Sequence, residues 1–363
     1  MNPLYVGDPA LRPSGTAKYK AKVEENSVRQ WQIPSFGIEA LQLIEKDSTP
    51  PEPGQVLVRV HAISLNYRDL MVVQGRYNPK LAMPRVPCSD GAGEVIAVGD
   101  GVTQWKVGDR VAGIFMQNWI EGRPTAAKLK GALGGDIDGM LATEVVLSQD
   151  GLVRIPDHLT YEEASTLPCA AVTAWNALFT SADTRPGDTV LIQGTGGVSI
   201  FALQFAKMAG ARVLGTSSSD EKLLRAKSLG LDAGLNYRAN PDWEKWAYEQ
   251  TGGEGVDLVV EVGGADTLTR AVRATRIGGT VAQIGVLSGA NDHVDIRPVL
   301  SKQIRIHGIY VGSRENFIAM NKAIAQTGLK PVIDKTFGFK EAPDALRHME
   351  SGSHFGKIVI AMK

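Results

Sequence analysis

The chain has 363 residues, and its 39 Lys and Arg balance its 39 Asp and Glu to a formal charge of zero. That excludes the concentrated positive field with which nucleic-acid and anionic-membrane binders usually work. Only two cysteines occur, Cys88 and Cys169, which excludes a disulfide-stapled secreted fold and any four-cysteine zinc site. Apolar residues make up 43% and charged residues 21%, as in an ordinary soluble protein of about two domains. Glycine is the outlier, at 40 residues against a usual share of roughly 7%.

Residues 1–27 mix Lys18, Lys20 and Lys22 with Asp8, Glu24 and Glu25. They hold no apolar run of signal-peptide length, so they read as a surface arm of a cytoplasmic protein, with a tag or partner-binding extension as the lesser alternative. From Ser27 to Leu147 short apolar runs alternate with turns. Val56–Ala62 follows the Pro-rich turn Thr49–Gly54, and Gly93–Val98 and Arg110–Gly113 are joined by glycine turns. This pattern predicts a β-rich, barrel-like region. Ile114–Met140 is a long, Gly-rich connection of the kind that often carries function. Within it Met116 and Trp119 read equally as a substrate wall and as packing.

Near Tyr161 the pattern changes. Thr160 and Glu163 predict a capping box at a helix start. Strands are expected at Thr189–Gln193, Arg212–Gly215, Val256–Val262, Thr280–Gly285 and Ile304–Val311. Helices are expected at Val198–Ala209, Asp220–Leu229 and Thr267–Arg276. Such alternation implies an α/β fold with an open, doubly wound parallel sheet. The uncharged stretches Ala164–Ala182 and Thr189–Ala206 approach membrane-spanning length, but Pro168, Gly194 and Gly196 mark them as buried core elements. No membrane association is expected.

Gly194-Thr195-Gly196-Gly197-Val198-Ser199 lies between a buried strand and a helix. Glycines there allow a tight turn and let a pyrophosphate approach the backbone at a helix N-terminus. Ser199 takes the place where a third glycine would allow close helix–strand packing. An NAD site usually ends the next strand with an acid for the ribose 2′-hydroxyl. Here the strand ends Ser217-Ser218-Ser219, with Lys222 and Tyr237 nearby, a set suited to the 2′-phosphate of NADP(H). Asp220, at a helix start, reads as an N-cap.

The stretches Ser64-Leu-Asn66-Tyr-Arg-Asp69, Ser89-Asp-Gly-Ala-Gly-Glu, Val107-Gly-Asp-Arg-Val, Leu167-Pro-Cys169 through Trp175, and Phe355-Gly356-Lys357-Ile-Val carry a resemblance over about residues 30–363. The chain resembles the medium-chain dehydrogenase/reductases. The resemblance implies a GroES-like catalytic domain at 28–165 and 311–363, a Rossmann NADP-binding domain at 166–310, and a homodimer. The strand Ile304–Val311 is the expected dimer edge. Among alcohol dehydrogenases of that superfamily the catalytic zinc is held by Cys, His and Cys. The matching positions here are Asn66, Ser89 and Cys169, so no zinc is expected, and Cys88 and Cys169 read as small core residues.

Without zinc, the resemblance narrows to the quinone-oxidoreductase and enoyl-reductase branch. It places Asn66 and Thr173 near the nicotinamide and makes Tyr77, in Gly75-Arg-Tyr77, a proton donor; a loop aromatic covering the core is the equal alternative for Tyr77. Tyr67 is a weaker rival, and Asp69 reads as a partner of Arg68 or a helix cap. The resemblance also places Gly356 and Lys357 at the cofactor. Val262–Gly264 (with Gly263), Gly285–Leu287 (with Val286 and the preceding Ile284) and Gly312–Arg314 should line it from the sheet's carboxyl edge. The expected function is hydride transfer from NADP(H), less readily NAD(H), to a small quinone or α,β-unsaturated carbonyl. The rivals are a metal-free alcohol or carbonyl dehydrogenase and a non-catalytic, crystallin-like nucleotide binder.

Overall fold

The structure is a computed structural model that describes residues 27–289 and 294–362. The expected N-terminal extension lies almost wholly outside them. Two sheets organise the chain. A two-stranded pair, β1 (Ser27–Gln32) and β2 (Gln42–Asp47), leads into the first sheet. Its central strand is β3 (Gln55–Leu65), where β-branched Val56, Val58, Val60 and Ile63 are fully buried. Such side chains are stiff and pack well on a pleated surface. Helix α1 (Tyr67–Val73) follows, then β4 (Asp90–Val98), β5 (Arg110–Gly113), β6 (Glu144–Ser148) and β7 (Leu152–Arg154). β3 pairs with β4 and with β6, all antiparallel, and β4–β5–β7 continues the sheet.

Thr160 and Glu163 close the expected capping box on α2 (Tyr161–Ser165): Glu163 N–H donates to Thr160 Oγ1 at 3.2 Å, and Thr160 N–H to Glu163 Oε2 at 2.8 Å. Beyond it, wide helical turns at Leu167–Ala171 and Asn176–Ser181 flank α3 (Val172–Trp175). This first uncharged stretch is packed in the core, as the turn formers implied. Among the described residues no helix is long and apolar enough to cross a membrane.

The second sheet is wholly parallel. Its chain order is β8 (Thr189–Gln193), α4 (Gly197–Met208), β9 (Arg212–Ser217), α5 (Asp220–Ser228), β10 (Ala233–Asn236) and α6 (Trp243–Gln250). It continues with β11 (Val256–Glu261), α7 (Ala265–Ala274), β12 (Thr275–Gln283), α8 (Arg297–Ser301) and β13 (Arg305–Gly308). Strand order is β10-β9-β8-β11-β12-β13. The winding reverses between β8 and β11, and ligands of open α/β sheets bind in the crevice at that switch point. The expected elements are present with shifted bounds, and some of the shifts have clear causes. The last strand stops at Gly308, because Val311 takes φ 59° and breaks the extended run. Helix α7 ends at Ala274, because buried Thr275 already pairs with Val256 in the sheet. The N-cap of α5 is Ser219, whose Oγ accepts from Lys222 N–H at 3.3 Å; Asp220 is the first helical residue.

After α9 (Arg314–Thr327) the chain returns to the first sheet through β14 (Ile333–Gly338), α10 (Ala342–Glu350) and β15 (Lys357–Ala361). β15 lies between β14 and β3, with Ile358 opposite Leu65, and Ser64 Oγ donates to Ile358 O at 3.1 Å. That register sets Lys357 beside Asn66.

Candidate active site

The strand-to-helix turn after β8 has room to spare. Gly194 takes φ +68°, a left-handed conformation that glycine adopts without penalty, and its N–H donates to Thr216 O at 2.8 Å. Gly196 is different: its φ is ordinary, and a Cβ there would meet nothing within 4 Å. Neither backbone strain nor packing asks for glycine, so the space is left for something outside the protein. Ser199 fits the third place because its Oγ donates to Gln193 O at 2.7 Å, turning a packing liability into a brace. Across the cleft Gly356 N–H donates to Thr195 O at 2.9 Å, and Lys357 Cδ lies where a Cβ on Gly197 would fall, at 2.6 Å. Val198 is half-buried on the first turn of α4. The turn therefore fits a pyrophosphate at a helix N-terminus.

The end of β9 completes this half of the cleft. Ser217 is buried and its Oγ accepts from Ser219 N–H at 3.2 Å, while Ser217 O accepts from Tyr237 N–H at 3.0 Å. Ser218 is half-buried and the Tyr237 ring exposed. Lys222 Nζ donates to Gly352 O at 2.9 Å, and burial holds its pKa below the usual value. Arg225, which the sequence did not single out, stacks over Phe355 at 4.2 Å. At the switch point sits a second unforeseen residue. Glu261 is fully buried at the end of β11. It accepts from Gly263 N–H (2.8 Å), Gly264 N–H (2.9 Å), Thr267 Oγ1 (2.6 Å) and Gln193 Nε2 (2.5 Å). These bonds fix the loop from Val262, next to Ile284, Gly285 and exposed Val286. Thr173 is buried on α3, and Asn176 Nδ2 donates to Val311 O at 2.8 Å, anchoring the segment that carries Gly312.

The reaction corner is assembled from four distant stretches. Asn66 N–H donates to Asp69 Oδ2 at 2.8 Å at the start of α1, and Arg68 Nη1 lies 3.5 Å from Asp69 Oδ1. Asn66 Nδ2 faces Ser89 Oγ at 3.4 Å, Ser89 Oγ donates to Asp90 Oδ1 at 2.7 Å, and Cys169 N–H donates to Asp90 Oδ2 at 3.0 Å. Lys357 Nζ donates to Asn66 Oδ1 at 2.6 Å and to Leu65 O at 2.7 Å. Burial pushes Asp69 up to about 6 against the pull of Arg68, and burial also raises Asp90 against the pull of Lys357. It raises the thiols of Cys88 and Cys169 as well, so both are protonated at neutral pH. Cys88 is a core residue; Cys169 is only partly buried.

Arg68 connects this corner to Tyr77. Its guanidinium carbon sits 5.1 Å from the Tyr77 ring centroid and 4.9 Å from that of Phe115. The Tyr77 hydroxyl meets the Tyr310 hydroxyl, from the segment after β13. Met116 and Trp119 are buried in the core and Trp119 Nε1 donates to Gly122 O at 2.9 Å, which favours packing for both. Tyr67 lies part-buried against the first-sheet core. A surface hollow lined by Glu244, Lys245, Tyr248 and Arg273 lies at α6, outside these residues.

Residues 52–157 match the alcohol dehydrogenase GroES-like domain, and residues 197–326 match the zinc-binding dehydrogenase family. A zinc-type alcohol dehydrogenase-like protein of Schizosaccharomyces pombe is 44% identical over 85% of this chain and 91% of its own. The chain is a medium-chain dehydrogenase/reductase. Among solved structures, an NAD-dependent alcohol dehydrogenase is 34% identical with a TM-score of 0.85, covering 92% of this chain and 100% of that one. A 2-octenoyl-CoA carboxylase reductase in complex with NADP and 2-octenoyl-CoA is 26% identical with a TM-score of 0.85, covering 96% and 90%. This medium-chain dehydrogenase/reductase is an NAD(P)H-dependent oxidoreductase, and its glycine turn fits the nicotinamide dinucleotide.

Zinc, which one matched family's description implies, fits its reaction corner poorly. A catalytic zinc takes thiolate, imidazole or carboxylate donors. The positions brought together are an amide, a hydroxyl and a single thiol, with the Lys357 ammonium 2.6 Å from the amide oxygen. A cation already faces the oxygen that a metal would have to share.

Proposed function

We propose that this enzyme is an NADP(H)-dependent, zinc-independent reductase of a small quinone or α,β-unsaturated carbonyl compound. The observation that carries the reading is the reaction corner, where an amide, a hydroxyl and a lone thiol take the positions that the resemblance gives to metal ligands and the Lys357 ammonium bonds the amide oxygen. When bound, the dihydronicotinamide supplies hydride. The chain's own residues then have two tasks: to stabilise charge developing on the acceptor's oxygen and to deliver a proton. Asn66 helps to fix the geometry of the corner, and Thr173 borders the nicotinamide's place. The Tyr77 hydroxyl is the proton donor, with Tyr310 as its hydrogen-bonded neighbour.

The preference for NADP(H) is supported by Ser217 and Ser218 at the end of β9, where no acid would repel a 2′-phosphate, and by the cations Lys222 and Arg225 close by. A homodimer, formed along the exposed edge strand β13, is supported by exposed Val286, Leu287, Ile296, Leu300 and Ile306 around that edge. We place the enzyme in the cytoplasm as a soluble protein.

The test is NADPH oxidation against four acceptor classes: quinones, enones, enoyl thioesters and aldehydes. Turnover with any of the first three, in metal-free protein, is the expected result. Turnover with aldehydes alone would turn the reading to a carbonyl or alcohol dehydrogenase. Stoichiometric zinc in protein purified without chelator would overturn the metal-free claim.

A further inference from the structure

Lys357 is almost fully buried. Lysines that deep usually neutralise a carboxylate, because an unpaired buried charge is costly. Here no carboxylate bonds it, although its charge still pulls on nearby Asp90. The ammonium's two bonded acceptors are carbonyl oxygens, Leu65 O and Asn66 Oδ1, and among the described residues no carboxylate lies within 4.0 Å of Nζ. Arg68 is the closer cation to Asp69, and Asp90 is held by Ser89 Oγ and the Cys169 N–H. An ammonium carries three N–H donors, so one remains without a protein acceptor. Asn66 is the weaker candidate for that part: its Oδ1 accepts from Lys357 and one Nδ2 N–H faces Ser89, which leaves one neutral N–H where Lys357 offers a charged one.

The geometry points to Lys357 as the electrophile of this site, a catalytic residue whose free N–H is directed to the carbonyl oxygen of an α,β-unsaturated substrate. This rests on the reductase reading above. As hydride reaches the β-carbon, the C=C pair moves to join the α-carbon to the carbonyl carbon, and the carbonyl π pair passes to oxygen. The ammonium hydrogen-bonds that enolate oxygen without losing its proton. The enolate then takes a proton at the α-carbon from the Tyr77 hydroxyl, which solvent restores, and the dihydronicotinamide leaves as the oxidised dinucleotide. The fixed charge is oriented by the β15–β3 register and by contact with Gly197, so little reorganisation is needed during reaction.

Lys357→Ala separates this role from two others, with NADPH affinity read by nicotinamide fluorescence and kcat read at saturating NADPH. We expect kcat on an enone to fall about 100-fold while the NADPH Kd stays within about twofold, and added ethylammonium to restore turnover in a saturable way. A raised Kd with unchanged kcat would make Lys357 a cofactor-phosphate holder and overturn the proposal. Unchanged kcat and Kd, or a loss that ethylammonium does not restore, would assign it to structure and equally overturn it. Should the alanine variant fail to fold, Lys357→Gln keeps size and one donor without charge; unchanged kcat in it overturns the proposal, and a loss of similar size supports it. Wild-type enzyme inactive on all four acceptor classes would instead overturn the reductase reading itself.

Discussion

The two halves of the cleft are built on opposite plans. At the glycine turn the protein withholds atoms: Gly196 has neither strain nor a neighbour to explain it. At the reaction corner it supplies them in excess: Asp69, Asp90 and Lys357 are joined through Asn66 and Ser89 by hydrogen bonds, and Arg68 lies 3.5 Å from Asp69. A cofactor that brings its own charges needs a place cleared for it. A substrate that develops charge only during reaction needs that charge anticipated in fixed groups.

Breaking either plan should have distinct signatures. The largest effect is expected at Glu261, which ties the cofactor loop to β8. Replacing it with Ala removes the acceptor of Gly264 N–H and Gln193 Nε2 and leaves Gly263 N–H and Thr267 Oγ1 only their longer 3.3 Å bonds, and should cost about 4 kcal/mol of stability by denaturant titration. His354 comes next, because it stands between the two halves. Burial, then the nearby Lys222 charge, lowers its pKa from 6.5 to about 4. The unfolded chain therefore takes up the proton first as pH falls. The associated stability is complete above pH 6.5 and is lost on the way down to pH 4. His354→Gln should remove that acid sensitivity, worth about 3 kcal/mol across the window, as seen in melts at stepped pH; an unchanged slope would contradict it.

Gly196→Val sharpens the contrast from the other side. The added Cβ meets no protein atom within 4 Å, so stability should fall only by the small cost of a poorer N-cap, about 1 kcal/mol, while NADPH affinity falls about 100-fold, or roughly 2.7 kcal/mol. A stability loss well beyond that would mean that the turn itself needs this glycine. The smallest effect is expected for Ser217→Asp, a shift of about tenfold from NADPH towards NADH in Kd. A wild type that already prefers NADH would defeat the 2′-phosphate argument.

How much of this can be read from the residues follows the same division. The glycine turn, its flanking strand and helix and the serines after β9 are local patterns, and local patterns survive without coordinates. So does the parallel sheet, through its alternating elements. The reaction corner is made by distance. Lys357 meets Asn66 across 291 positions because β15 pairs with β3 in one register, and a one-residue slip would turn the lysine to the other face. Tyr77 meets Tyr310 across 233 positions. Glu261 looks in the sequence like the end of one more strand, and only the loop folding back over it reveals four donors. The strand β10 has only four residues, too few to show alternation, and the eight-residue helix α6 carries its buried Trp243 and Ala247 over a single turn, too short a run to establish a helical period.

The insertion of β15 between β14 and β3 also fixes an order of events. During synthesis Asn66, Ser89 and Asp90 are made early, but the strand that seats the lysine beside them follows the whole parallel sheet. One edge of β3 must therefore stay unpaired along Ala62–Leu65 until some 290 further residues have been made, the kind of non-local pairing that slows folding and leaves strand edges exposed. The enzyme's chemistry is thus the last thing its chain acquires, and a nascent chain that has already formed its dinucleotide turn is still without its buried ammonium.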